Sequence, residues 1–140
     1  MRRKKIIIAF VVVLVFLLIM TFTIQTPSEP ELTPNPLNAE LYFFLSNGGL
    51  ENALVDITPE RALIRYNLPE NVSTETTNFF VMKASARIAP NSSKIIIQVY
   101  ENFTPLEEVI VSTEDVLAFM NGTITYEEFE KRIEIKSLNR

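Results

Sequence analysis

The chain has 140 residues, 47 % of them hydrophobic, with 13 lysines and arginines against 17 acids and a net charge of −4. It contains no histidine, cysteine or tryptophan, which excludes disulfides and thiolate chemistry and removes the commonest general base and zinc ligand. Three glycines are too few for a phosphate-cradling loop, which needs backbone freedom at several positions.

The chain begins with four cations, Arg2, Arg3, Lys4 and Lys5, followed by the uncharged run Ile6 to Ile24. As a helix that run is roughly 28 Å long, close to the ~30 Å hydrocarbon core of a bilayer. It shows no polar face of the kind a soluble helix carries. The run is therefore expected to be a transmembrane helix, a retained signal-anchor with the lipid bilayer as its partner. The basic flank 1–5 is expected to stay in the cytoplasm and the remainder to lie outside. That makes the chain a single-pass protein of the cell membrane. A cleaved signal peptide, leaving a secreted soluble protein, is the rival reading. Its apolar region is usually ~7–15 residues and ends at a small-x-small site, which Met20-Thr21-Phe22-Thr23-Ile24-Gln25 lacks. A buried core helix is a third reading.

Residues 25–38 contain Pro27, Pro30, Pro34 and Pro36. Proline lacks an N–H and fixes φ, so an extended linker of up to about 40 Å is expected. Residues 39–140 then form the outer domain. Leu37 to Gly49 predicts a short helix with Asn38 as N-cap and Gly48 or Gly49 at its end. Ala53 to Pro69 predicts two strands around a Thr58-Pro59-Glu60-Arg61 turn. Ser73 to Pro90 predicts a helix with Phe79, Met82, Ala86 and Ala89 on one stripe, stopped by Pro90. Lys94 to Tyr100 is dense in β-branched residues, and after the ENFTP turn Glu107 to Ser112 returns as its hairpin partner. Ser112 with Asp115, and Thr125 with Glu128, mark two helix starts, the second helix running to about Ser137. The order α-ββ-α-ββ-α-α predicts an α+β domain with a mainly antiparallel four-stranded sheet.

Four Asn-x-Ser/Thr triplets begin at Asn71, Asn91, Asn102 and Asn121, all in expected loops. They are the candidate glycosylation sites of an outward-facing domain, although asparagine also belongs in turns for its own reasons. Asn102 is the poorest acceptor, because Pro105 follows its triplet.

Several other groups read as structural. A calcium loop with Gly122 at its sixth position would need oxygen ligands where Leu117 and Phe119 stand, so no metal site is expected. Asp56 and Arg65 are expected to form a cross-strand ion pair. Lys83 and Ser85, two apart on a helix, share no face and make no dyad. Tyr42, Phe43 and Phe44 are read as core, with a membrane surface or a partner as the alternative. Setting aside the four N-terminal cations leaves nine bases against 17 acids, a net of −8; such a domain repels nucleic acid and anionic lipid. No catalytic residue, cofactor or metal is expected. The functional expectation is a non-enzymatic binding or accessory module with a protein partner. The alternative is a membrane-tethered hydrolase whose carboxylate pair converges in a pocket.

Overall fold

A computed structural model describes residues 35–138. The Ile6 to Ile24 span, its basic flank and the linker up to residue 34 lie outside the described residues. Among the described residues no helix is long and apolar enough to cross a membrane. The domain is α+β, with four helices around a five-stranded mixed sheet.

Helix α1, Pro36–Asn47, starts earlier than expected. Asn35 is the N-cap, its side chain accepting from the Leu37 N–H, and Pro36 occupies the first helical position, where a missing N–H is harmless. Residues 36–38, expected as the end of the linker, are thus the first turn of the helix. Asn38 serves elsewhere: its Oδ1 accepts from the Ile57 N–H (2.8 Å), while Asn35 Nδ2 donates to the Ile57 carbonyl (2.8 Å). These two bonds fasten α1 to β1, Leu54–Ile57. Gly49 takes φ +99° after the helix end.

Strand β2, Ala62–Asn67, pairs antiparallel with β1 through the expected turn. Helix α2, Thr74–Ile88, is capped by Ser73 and buries Met82, Ala86 and Ala89 as the stripe predicted, with Phe79 half-buried. It crosses over to β3, Lys94–Glu101, which lies parallel to β2. The sheet is mixed: three of its four pairings are antiparallel, in line with a mainly antiparallel expectation, this one is parallel, and the strands number five where four were expected. A strand–helix–strand unit that returns to the same sheet makes its strands parallel. Strand β4, Thr104–Ser112, forms the hairpin with β3. Register shifts between Val99 and Tyr100, leaving Leu106 as the extra residue of a bulge.

Helix α3, Thr113–Met120, is capped by Ser112, and α4, Tyr126–Glu130, carries the Thr125–Glu128 capping box. The last helix was expected to reach Ser137. It ends after five residues, and Glu134–Ser137 forms β5, antiparallel to β4. With β3 on one side and β5 on the other, both edges of β4 are paired, which outweighs the helical i,i+4 spacing of Phe129 and Ile133. Sheet order follows the chain, β1-β2-β3-β4-β5.

One sheet face is covered by the helices. Ile57, Ala62, Ile64, Tyr66, Ile95, Ile97, Val99, Val109 and Val111 alternate onto it and are buried, joined by Leu41, Leu45, Val81 and Phe129. The small residues Ala84, Ser85, Ala86 and Ala89 let α2 lie close to the strands. The opposite face carries a polar row across four strands: Arg65, Gln98, Glu108 and Lys136 are in register. Arg65 Nε donates to Gln98 Oε1 (2.6 Å), and Gln98 Nε2 donates to Glu108 Oε2 (2.7 Å).

Two local expectations are corrected. Asp56 is in register with Leu63, not Arg65, and its ion pair is with Arg61 of the turn at 3.7 Å. Tyr42, Phe43 and Phe44 are not core. They are 37 %, 64 % and 42 % exposed, because Leu41 and Leu45, four apart, fill the one stripe of α1 that meets the domain.

Candidate functional site

The β3–β4 hairpin turns in two residues, Asn102 and Phe103, with φ +48° and +64°. Paired positive φ values match the strand twist, and Asn suits the first position. Phenylalanine does not suit the second. A bulky side chain in the left-handed region adds roughly 1–2 kcal/mol of strain. Phe103 recovers none of it by burial, since it is 86 % exposed. Asn67 at the end of β2 holds the turn in place, its Oδ1 accepting from the Phe103 N–H (3.3 Å).

Beside this tip lies an open groove of about 690 Å³. Tyr42 of α1, Leu54 of β1, Tyr100 of β3 and Phe103 supply apolar surface to it, and Arg65 and Asn67 of β2 supply polar edges. Leu54 is 66 % exposed and stands directly opposite Arg65. Tyr42 is held over the groove by its hydroxyl, which donates to the Glu51 carbonyl (3.2 Å). Phe43 meets Tyr42 edge-on at 5.6 Å, extending the aromatic surface along α1. An adjoining hollow of about 350 Å³ shares Asn52, Asn67 and Phe103 and reaches Glu70 and Asn102. The Leu106 bulge falls in the same hairpin, next to Tyr100. The result is an aromatic concavity with one guanidinium and several amides on its walls.

A second groove, about 370 Å³, lies between α2, α4 and the β4–β5 pair. It carries Glu75, Glu107 and Glu130. Two of these acids already accept hydrogen bonds: Glu107 Oε1 from Asn78 Nδ2 (2.8 Å) and Glu75 Oε1 from the Tyr126 hydroxyl (3.1 Å). Among the described residues no three carboxylates are grouped so as to hold a metal ion. Behind the groove, the Tyr66 hydroxyl donates to Asn78 Oδ1 (2.8 Å), completing a relay from β2 through α2 to β4. Burial, and then the charge of Glu107, push the Tyr66 phenol well above its ordinary range. The hydrogen bond to Glu75 raises that of Tyr126. An aromatic cluster closes the groove's far side, with Phe119 and Phe129 stacked at 4.6 Å and Phe79 at 5.9 Å from Phe129. Lys83 Nζ stands 5.9 Å from the Phe79 ring centre, an arrangement suited to cation–π attraction.

The four sequon asparagines are exposed and sit on separate connections. Asn71 precedes α2 with φ +61°, Asn91 follows α2, and Asn121 is the C-cap of α3. Asn102 alone borders a groove. Arg2, Arg3, Lys4 and Lys5 lie outside the described residues. Lys83 is exposed and Ser85 buried, as expected for positions that share no face. Sequence reasoning missed Leu54, Tyr100, Phe103 and Asn67 as one surface. The available signal was the aromatic residue in a two-residue hairpin turn, where Asn-Gly is the favoured pair. No protein-family model, no curated protein and no solved structure matches the chain.

Proposed function

We propose that the chain is a single-pass membrane protein, anchored through Ile6 to Ile24, whose outer domain is a binding module that receives a protein partner on the aromatic groove. What supports the reading is Phe103. It combines backbone strain with nearly full exposure, and burial among the described residues does not offset the strain. A binding partner that covers the ring supplies the missing return, since aromatic anchors in pockets dominate interface energies. Arg65 and the amides of Asn52 and Asn67 suit the main-chain carbonyls and polar side chains of a peptide segment. Nucleic acid is not the partner of a domain with this negative balance.

A photo-crosslinking residue placed at Phe103 tests the reading in cells. It should capture one discrete protein, with the adduct lost when Tyr100 is changed to alanine. The same probe at Glu60, an exposed turn residue away from the groove, should capture nothing. Equal capture from both positions, or from neither, refutes the groove as a docking site. Resistance of the full chain to alkaline carbonate extraction tests the anchor, and cleavage of the domain by protease added to intact cells tests its orientation. On this reading Asn71, Asn91 and Asn121 are free to carry glycans. A glycan on Asn102 would occupy the groove margin, so occupancy there and partner capture should exclude each other.

The carboxylate-pair hydrolase is the second reading, and it rests on the groove containing Glu75, Glu107 and Glu130. It predicts a hydrolytic activity that disappears in Glu107→Gln while Phe103→Ala leaves it intact.

A further inference from the structure

We infer that the outer edge of β5 is a self-pairing surface, joining two copies of this chain through an antiparallel β5–β5 ladder about a two-fold axis at Ile135. Three observations carry this. First, among the described residues the edge is open. Leu138 N donates to the Leu106 carbonyl (2.9 Å), and successive N–H groups of a strand point to alternate sides. Those of Glu134 and Lys136 therefore face β4 as well, and Ile135 and Ser137 turn their N–H and C=O groups outward. The other edge of the sheet differs, because Asn35 and Asn38 cap both backbone groups of Ile57.

Second, Ile135 is 63 % exposed although it lies on the helix-covered face, opposite Val109 at 1 %. It stands at the margin of the groove that holds Ile133 and Tyr126. Third, the strand's charges complement themselves in one register only. With Ile135 facing its own copy, both residues form a hydrogen-bonded pair, Glu134 faces Lys136 of the second copy, and Lys136 faces its Glu134. A slip by one position of the axis sets Glu134 against Glu134 in one direction and Lys136 against Lys136 in the other. Like charges directly opposite destabilise a sheet, and opposite ones stabilise it. A register with the axis between two residues would set an outward backbone group against an inward one and leave both unpaired. Within one copy Lys136 Nζ already sits 3.3 Å from Glu134 Oε1, so the two copies would form a square of four alternating charges. Such a two-fold contact is closed and isologous, giving a dimer rather than a fibre.

A four-residue ladder is a small interface of the weak class, so covalent trapping in the full-length chain is the sensitive measurement. The chain has no cysteine, and Ile135→Cys introduces a single thiol. A directly opposed hydrogen-bonded pair has Cα atoms about 5.5 Å apart, within disulfide reach. Mild oxidation of membranes containing this variant should give a disulfide-linked dimer. Leu54→Cys, equally exposed on the capped edge, should stay monomeric. Adding Glu134→Lys, at a position opposite Ile110 that also gives up the exposed ion pair to Lys136 of its own copy, should lower the linked fraction about tenfold, because two attractive pairs between copies become repulsive. Co-expressing that chain with an Ile135→Cys, Lys136→Glu chain should restore linkage between the two unlike chains. The inference is overturned if Ile135→Cys stays monomeric, if Leu54→Cys links as well, or if Glu134→Lys leaves the linked fraction unchanged. The binding proposal for the Phe103 groove stands or falls separately, since its probe sits at the hairpin tip outside β5 and reads capture of a different protein rather than linkage between copies.

Discussion

Replacing Tyr66 by phenylalanine removes one oxygen from the buried relay Tyr66–Asn78–Glu107, and the structure sets its size. Tyr66 is 2 % exposed and Asn78 5 %. The lost bond contributes about 1 kcal/mol net, and the stranded Asn78 acceptor adds part of the ~1–3 kcal/mol desolvation penalty of an unpaired buried group. A loss of about 2 kcal/mol results. Asn78→Ala strands the Tyr66 hydroxyl and strips Glu107 of a donor, for a loss of about 3 kcal/mol. The double variant should lose about 1 kcal/mol less than the sum, because both single changes break the same bond. The alkaline limb gives an independent readout. The folded phenol is raised above the ordinary value of 10.0, first by burial and then by Glu107. A raised group adds stability that is complete below the unfolded value and is lost as pH rises through the folded one. Stability of the native domain should therefore fall above pH 10, and Tyr66→Phe should flatten that fall. Urea unfolding followed by circular dichroism on residues 34–140, which form one compact unit, measures both. Additivity of the two changes within ~0.3 kcal/mol, together with an unaltered alkaline limb in Tyr66→Phe, would refute the relay as an energetic unit.

Three further outcomes follow from the same structure. Phe129 is fully buried among Phe79 and Phe119, so Phe129→Ala should cost about 3–5 kcal/mol in urea unfolding and free α4 and β5 to exchange their amide hydrogens. Glu128 is held below its ordinary value of 4.5, first by the Thr125 N–H. A lowered carboxylate adds stability that is present above the unfolded value and lost as pH falls through the folded one, so Glu128→Gln should lower stability slightly at pH 7, and its difference from the parent chain should vanish as pH falls below about 4.5. Phe103→Gly should stabilise the domain by about 1 kcal/mol in urea unfolding through relief of left-handed strain and should abolish partner capture by a crosslinking residue placed at Tyr42 of the same groove, a gain in stability with a loss of binding.

Local chemistry was legible in the sequence wherever a few neighbouring residues settle the outcome. The caps at Ser112 and Thr125, the Thr58–Arg61 turn, the α2 stripe and the β3–β4 hairpin all depend on residues close in sequence, and they stand where pattern placed them. The sequon asparagines fall on loops for the same reason. The apolar N-terminal run and its basic flank are likewise properties of the sequence alone, and so is the absence of histidine and cysteine.

Tertiary structure decided the remainder, because partners far apart in the chain competed with local preference. Residues 134–137 become a strand only because β4 offers an unpaired edge and Ile135 can stand opposite Val109. The β2–β3 pairing is parallel because α2 intervenes and the chain must return to the same sheet. Asn38 looks like a cap in sequence, yet it binds Ile57 nineteen residues away. Arg65 loses Asp56 by a register that only the folded hairpin defines. The groove shows this most plainly. Tyr42, Leu54, Arg65, Tyr100 and Phe103 come from four separate segments, and no periodicity in a linear chain records that one helix, two strands and a hairpin meet at one corner of a sheet.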